Sequence, residues 1–164
     1  MESHLAGLGL SLAVLAPTLL LVRFPPREPL PRSSAPRPVR WIERVGQALC
    51  LVVPALSASG TVVWWWSVPA IVGLVAYYAL WARYLATGRH AASLYWWRRV
   101  PAPMAILPVV VFLASAGWLN SPWIAVAAVV LAVGHLPVSL DAASSVKRIQ
   151  WDTGSDGRAV EETP

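Results

Sequence analysis

Apolar stretches of about 17 to 20 residues alternate with polar segments along this chain. A helix rises 1.5 Å per residue, so about 20 apolar residues cross a hydrocarbon core about 30 Å thick. The pattern therefore predicts an all-α integral membrane protein, a bundle of about five transmembrane helices. We expect these spans at residues 4–22, 43–59, 67–86, 101–119 and 122–140.

The apolar stretch of residues 45–85 must contain two of these spans. As one helix, its roughly 41 residues would measure about 60 Å, twice the thickness of the hydrocarbon core. We therefore predict a tight helical hairpin whose turn lies at Gly60 and at the consecutive tryptophans Trp64–Trp66. Indole rings favour the membrane–water interface, because the ring is apolar and its N–H is polar.

A second hairpin is expected at residues 101–140, with its turn at residues 120–121. Trp118 and Trp123 flank this turn, as three tryptophans mark the first one. A basic and aromatic loop at residues 87–100 joins the two hairpins. The predicted interface anchors are Trp64, Trp65, Trp66, Trp96, Trp97, Trp118 and Trp123.

Two polar segments lie outside the predicted spans. Residues 23–42 are rich in Pro and Arg. Proline fixes φ and lacks a backbone donor, so this loop is expected to be extended rather than helical. Residues 141–164 form a polar tail, which is predicted to fray after a short helix. The predicted organisation is one transmembrane helical domain at residues 1–140, followed by this cytoplasmic tail.

The basic residues fall on one side of the predicted membrane. With five spans, alternate loops share a side, and all thirteen Lys and Arg residues lie in or beside loops 23–42 and 87–100 and the tail. Cytoplasmic loops are enriched in Lys and Arg. We therefore predict an outside N-terminus, a cytoplasmic C-terminus and a multi-pass protein of the cell membrane. Twelve of the thirteen are Arg, which favours a GC-rich bacterial genome and hence the inner membrane.

His135 is the ionisable residue that the pattern places well inside a span. It follows Pro122 by 13 residues, which is about 20 Å along a helix. Ionisable residues within spans are functional candidates, and a histidine can pass protons or bind a ligand near neutral pH. His135 and Asp141 form the predicted ligand site or proton pathway. The alternative is a neutral His135 that hydrogen-bonds to a neighbouring helix.

The other charged residues near the spans are placed at the cytoplasmic boundary, where long side chains reach the headgroups. They are Glu43, Arg44, Arg83 and Asp141. A proton-coupled exporter normally needs a carboxylate within the membrane. Because the pattern places none at mid-depth, that class of transporter is disfavoured.

A second candidate site is the basic and aromatic loop between the hairpins. Guanidinium groups pair well with phosphate, and aromatic rings hold such a loop at headgroup depth. The expected ligand is an anionic lipid headgroup, and the residues predicted to bind it are Arg83, Arg89, His90, Arg98 and Arg99. The alternative is that these residues only provide the charge asymmetry and aromatic belt of any multi-pass protein.

No motif in the chain specifies an activity. Cys50 is the only cysteine, so neither an intrachain disulfide nor a cysteine-cluster metal site is possible. The chain contains no Gly-rich phosphate loop and no Gly-x-Ser-x-Gly elbow. We therefore predict no catalytic residue, no cofactor and no bound metal, and a non-enzymatic protein is favoured.

Three functions follow from these observations. The favoured one is a small bacterial inner-membrane protein that serves as a non-enzymatic accessory or scaffold subunit. The second is a small transporter or permease component that uses His135, and the third binds or modifies anionic lipid through residues 83–99. Expected partners are anionic lipids on the cytoplasmic face and another membrane protein or a second copy of the chain. Such lipids explain the net charge of +5 better than nucleic acid does.

Overall fold

The computed structural model shows an all-helical protein with one short strand pair beside the helices, and it describes residues 2–28, 34–57, 60–97 and 100–161. Strands β1 (Trp96–Trp97) and β2 (Val100–Pro101) pair antiparallel. Short 3-10 turns occupy Ala16–Leu19 and Trp64–Trp66. The helices are α1 (Glu2–Leu15), α2 (Leu20–Arg23), α3 (Arg37–Leu56), α4 (Ser67–Ala86), α5 (Ala91–Tyr95), α6 (Pro103–Trp118) and α7 (Pro122–Glu161).

Three helical segments in the described part of the chain are long and apolar enough to cross a membrane. They are Ala6–Arg23, Trp64–Ala86 and Pro122–Arg148, and they cover the predicted first, third and fifth spans. The protein is therefore compatible with a membrane location. α6 is apolar as well but has only 16 residues, and α3 carries four charged residues among its 20.

α3 begins earlier than the hydrophobic pattern indicates. Pro36 is its N-cap residue, and Pro38 lies in its first turn. The missing N–H of a proline costs nothing there, because the first N–H groups of a helix have no partner within it. The segment predicted to be extended as far as residue 42 therefore becomes helical at Arg37.

α7 continues well beyond the predicted end of the last span at residue 140. It runs from Pro122 to Glu161, and its apolar part ends near Arg148. Pro137 lies within this helix and does not end it. Most of the predicted polar tail is therefore the helical continuation of the last apolar segment.

Two glycines allow α3 and α7 to pack with their backbones in contact. A Cβ atom at Gly46 would lie 2.5 Å from the Cα atom of Leu131, and one at Gly134 would collide with the backbone of Glu43. Helix axes normally lie about 8–10 Å apart, and small residues permit a closer approach. This contact fixes which side chains of α3 meet those of α7.

α6 packs against both α4 and α7 and is buried along most of its length. Val111 and Phe112 of α6 are fully buried. On α4, the rings of Trp81 and Tyr84 meet edge to face with centroids 5.7 Å apart, and Tyr84 is also fully buried. These aromatic and branched side chains form the core against which the helices of the bundle pack.

The two hairpin turns are hydrogen-bonded to each other at one end of the bundle, which we call the turn end. The Gly60 N–H donates to the carbonyl of Leu119 at 3.1 Å, and the Val63 N–H donates to that of Trp118 at 2.9 Å. The rings of Trp64 and Trp118 lie 6.2 Å apart at the same place. The turns of the first and second hairpins thus form one connected structure.

The opposite end of the bundle, which we call the basic end, brings the longer loops against the middle of α7. The Tyr84 hydroxyl donates to the Phe24 carbonyl at 2.9 Å, and the Trp96 indole N–H donates to the Ala143 carbonyl at 3.1 Å. The described basic residues at or near this end are Arg23, Arg27, Arg37, Arg40, Arg44, Arg83, Arg89, Lys147 and Arg148.

Candidate functional site

His135 of α7 forms a short contact with Glu43 of α3. His135 Nδ1 lies 2.7 Å from Glu43 Oε1, and the two side chains are only 23% and 16% exposed. The close approach of Gly134 to the backbone of Glu43 brings the carboxylate beside the adjacent imidazole. The sequence pattern placed Glu43 at the membrane boundary, whereas the structure turns its side chain into the bundle.

His135 also lines a cavity of about 330 Å³ between the helices. Most of the lining is aliphatic or aromatic, and the side chains on the wall that carry polar atoms include Thr18, Gln47, Tyr77, Trp81, Tyr95, His135 and Ser139. Small-molecule sites typically combine an apolar wall with a few polar groups that fix orientation. The cavity has the lining of a site for a small molecule that is mostly apolar and carries some polar groups.

The cavity lies in the half of the bundle nearer the basic end. Its wall includes Leu21 near the end of α2, Tyr95 at the end of α5 and Ser139 of α7. Nearer the turn end, Pro54 and Ser115 are fully buried in helix contacts. Among the described residues, none of those at the turn end contributes to the cavity wall.

Tyr95 adds a third titratable group to this region. Burial raises the pKa of its phenol, and the negative charge of Glu43 raises this pKa further. The hydroxyl therefore stays protonated near neutral pH and can donate a hydrogen bond. Glu43, His135 and Tyr95 come from three different helices, α3, α7 and α5, and the last two line the cavity.

Asp141, the predicted partner of His135, has a different environment. Its carboxylate accepts hydrogen bonds from the Ser34 backbone N–H at 2.7 Å and from the Ser34 hydroxyl at 3.0 Å. These bonds hold the segment before α3 against α7. Asp141 is not among the described residues that line the cavity, so the structure does not bring it to the His135 site.

Arg83, predicted to bind a lipid headgroup, bonds to two backbone carbonyls. Its Nη2 donates to the carbonyl oxygens of Ser93 and Trp96, each at 2.8 Å. These acceptors lie in and just after α5, where helix carbonyls lack partners within the helix. Arg83 therefore helps to fix α5 and β1 against the end of α4.

His90 and Arg89, also predicted to bind lipid, belong to the contact between two loops. His90 Nδ1 lies 2.7 Å from Glu28 Oε1, and Glu28 Oε2 accepts a hydrogen bond from the Ala91 N–H at 2.7 Å. The Arg89 carbonyl accepts from the Arg27 N–H at 3.1 Å. Arg98 and Arg99, the remaining members of the predicted lipid site, lie outside the described residues.

The predicted interface anchors differ in exposure. Trp64, Trp65, Trp66 and Trp123 are 50–86% exposed around the turn end, and Trp97 is 46% exposed near the basic end. Trp96 and Trp118 are half-buried and pack within the protein. The five exposed indoles are accessible at the surface, and their placement at a membrane interface stays a prediction.

Sequence reasoning missed Glu43, Gln47 and Tyr95 as members of the cavity region. One signal was present, because Glu43 lies on the same face of α3 as the buried Gly46 and Cys50, whereas the arginines of that helix are exposed. A carboxylate on the small-residue face of a helix indicates a partner on the neighbouring helix.

The chain matches no family model, no curated protein and no solved structure. Within the described residues, no group of three or more His, Cys, Asp or Glu side chains is arranged to hold a metal ion.

Proposed function

We propose that this protein binds a small amphipathic molecule in the cavity beside His135, as a small transporter or permease component does. The Glu43–His135 contact carries the proposal, because the imidazole of His135 lines the cavity. Ionisable groups are costly within a membrane bundle, and those found there usually mark a ligand or proton pathway. The apolar lining would contact the apolar body of the ligand, and the imidazole would form a hydrogen bond to a polar group of the ligand.

The pair gives the imidazole a defined chemistry. An ionised Glu43 accepts a hydrogen bond from Nδ1–H of His135, so the neutral ring carries its lone pair on Nε2. Nε2 can then accept a hydrogen bond from a donor group of the ligand.

The proposal includes five spans, with the N-terminus outside and the C-terminus in the cytoplasm of a bacterial cell. The basic residues at one end and the exposed tryptophans at both ends support it, because they match the positive-inside rule and an aromatic belt. α6 measures about 24 Å, so a slightly thinned bilayer accommodates it. The arginines that begin α3 then lie among the headgroups. Its apolar second half, residues 45–56, measures about 18 Å, so the span formed by α3 also requires local thinning of the bilayer.

The experiment is gentle purification from native membranes, followed by mass spectrometry of every retained small molecule and protein. We expect the wild-type chain to retain a small molecule that His135→Ala releases. Ser139→Phe, which places a phenyl ring in the cavity and leaves Glu43 and His135 in the chain, is expected to release it as well. Asn120→Ala is the control, because it removes an exposed side chain at the turn end, whose amide donates to the Thr61 hydroxyl at 3.3 Å, and leaves the residues of the cavity wall unchanged.

The same preparation separates this function from the accessory or scaffold subunit favoured by the sequence alone. Release from both cavity variants and retention by Asn120→Ala would support ligand binding. A stoichiometric protein partner, retained equally by all four chains without any small molecule, would overturn ligand binding in favour of the accessory subunit. Equal size-exclusion profiles of the four proteins establish that the variants fold.

A further inference from the structure

A second cleft opens at the basic end, beside the apolar part of α7. It has a volume of about 460 Å³ and lies between α7 and the β1–β2 pair. Leu140 and Pro101 contribute apolar surface, and Lys147 and Arg148 contribute positive charge. Trp96 belongs to the same wall. The cleft thus combines an apolar floor, formed by Leu140 and Pro101, with a cationic rim, formed by Lys147 and Arg148.

Trp96 is fixed in this cleft by two contacts. Its indole N–H donates to the Ala143 carbonyl at 3.1 Å. Lys147 Nζ lies 5.5 Å from the ring centroid, which is within the range of a cation–π contact. The apolar part of α7 ends near Arg148, so this indole lies where the helix would leave a bilayer. That depth is the usual position of interfacial tryptophans and of lipid phosphates.

The cleft has no carboxylate on its wall among the described residues. Arg148 Nη2 lies 3.5 Å from the Ser144 hydroxyl, and neither Lys147 nor Arg148 forms an ion pair with another described side chain. A guanidinium next to an ammonium matches the oxygens of a phosphate. The positive charge of the cleft therefore favours an anion, and its apolar floor favours a hydrocarbon chain.

We propose that this cleft binds one anionic phospholipid, with its phosphate at Lys147 and Arg148 and an acyl chain along Leu140 and Pro101. The apolar floor distinguishes this site from a site for free phosphate, because contact with Leu140 does not stabilise a bound inorganic ion. Its cationic residues, Lys147 and Arg148, are not among those of the predicted headgroup site, although Trp96 lies within residues 83–99. It is also independent of the ligand that we propose for the His135 cavity.

The test is native mass spectrometry of the purified full-length protein, titrated with dioleoyl phosphatidylglycerol or with dioleoyl phosphatidylcholine. The two lipids share their acyl chains and differ in net charge. We expect a preference for phosphatidylglycerol that falls about tenfold in the double variant Lys147→Gln, Arg148→Gln. The control Arg37→Gln, Arg40→Gln removes two exposed charges at the same end but outside the cleft, and is expected to keep the preference. An equal loss in both double variants would reveal a general surface attraction and overturn the site.

A second variant tests the hydrocarbon part of the site. Leu140 is exposed, so Leu140→Gln leaves the core intact while making the floor polar. We expect it to weaken phosphatidylglycerol binding several-fold, by loss of apolar contact. Inorganic phosphate at the same concentration is expected not to displace the lipid. Displacement by phosphate, or full affinity in Leu140→Gln, would show that the cleft binds only the phosphate and would overturn the phospholipid assignment.

Discussion

The Ser11 hydroxyl donates a hydrogen bond to the backbone carbonyl oxygen of Cys50 at 2.9 Å, and Pro54 explains why that oxygen accepts it. A proline four residues later removes the N–H that would otherwise bond to this carbonyl within α3. Ser11 is fully buried and also lies 3.1 Å from the Gly7 carbonyl oxygen of its own helix. One hydroxyl of α1 therefore satisfies a backbone group that the proline leaves free in α3.

Replacing Ser11 by Ala is expected to lower the free energy of unfolding by about 1 kcal/mol, the usual scale for such bonds between membrane helices. The Cys50 carbonyl would then lack a partner in an apolar environment. Unfolding in mixed detergent micelles measures the change. In a Pro54→Ala background the same substitution should cost less, because the residue 54 N–H can bond to that carbonyl. An undiminished cost in that background would show that Pro54 does not create the need for Ser11.

Gly134→Ala is expected to destabilise the protein by about 1–3 kcal/mol, because the added methyl collides with the backbone of Glu43 and forces α3 away from α7. The matched control is Gly9→Ala, since no atom lies within 4 Å of a Cβ at that position. A helical Gly→Ala change without a clash is neutral or stabilising by up to about 1 kcal/mol. Both free energies come from the same micelle unfolding measurement, and equal effects would argue against close packing of α3 on α7.

Docking of the two loops at the basic end is expected to weaken in acid. The bonds from His90 and from the Ala91 N–H lower the pKa of Glu28 below its usual value of 4.5. A depressed carboxyl pKa stabilises the folded state above the unfolded pKa, and this contribution is lost as pH falls through the folded pKa. Amide hydrogen exchange at Ala91, corrected for the intrinsic rate, should therefore lose protection below about pH 4.5. Glu28→Gln should show low protection with little pH dependence, and a matching acid transition in that variant would implicate another group.

Cysteine labelling tests the proposed orientation directly. Cys50 is the only cysteine and is 3% exposed, so Cys50→Ser provides a cysteine-free background. In intact cells we expect a membrane-impermeant maleimide to label Asn120→Cys at the turn end. It should label Ser144→Cys at the basic end only after the membrane is opened. Labelling of Ser144→Cys in intact cells would reverse the proposed orientation.

The three long apolar helical segments, predicted at residues 4–22, 67–86 and 122–140 and observed at Ala6–Arg23, Trp64–Ala86 and Pro122–Arg148, could be predicted because their apolar character is local. The start of α3 could not be predicted. A proline either ends a helix or occupies its first turn, and the local sequence does not show that Pro36 and Pro38 stand at the beginning of one. The Glu43–His135 contact joins residues 92 positions apart and depends on a helix approach that no local pattern encodes.

The hydrogen-bond partners of Arg83 could not be predicted from the local sequence either. Its position near the end of α4 predicts a boundary residue, and both a headgroup and a backbone carbonyl are suitable partners there. The choice depends on α5, a helix of five residues whose ends supply the acceptors. Such a short element has no periodicity from which it could be predicted.

The hydrogen bonds Gly60–Leu119 and Val63–Trp118 tie the two hairpins together at the turn end, and Trp96–Ala143 and Ser34–Asp141 tie the basic end as well. The cavity beside His135 therefore lies in a bundle that is held by hydrogen bonds at both ends. A cavity whose walls are held in this way loses little conformational freedom when a molecule fills it, so we expect its shape to be largely formed before any ligand binds.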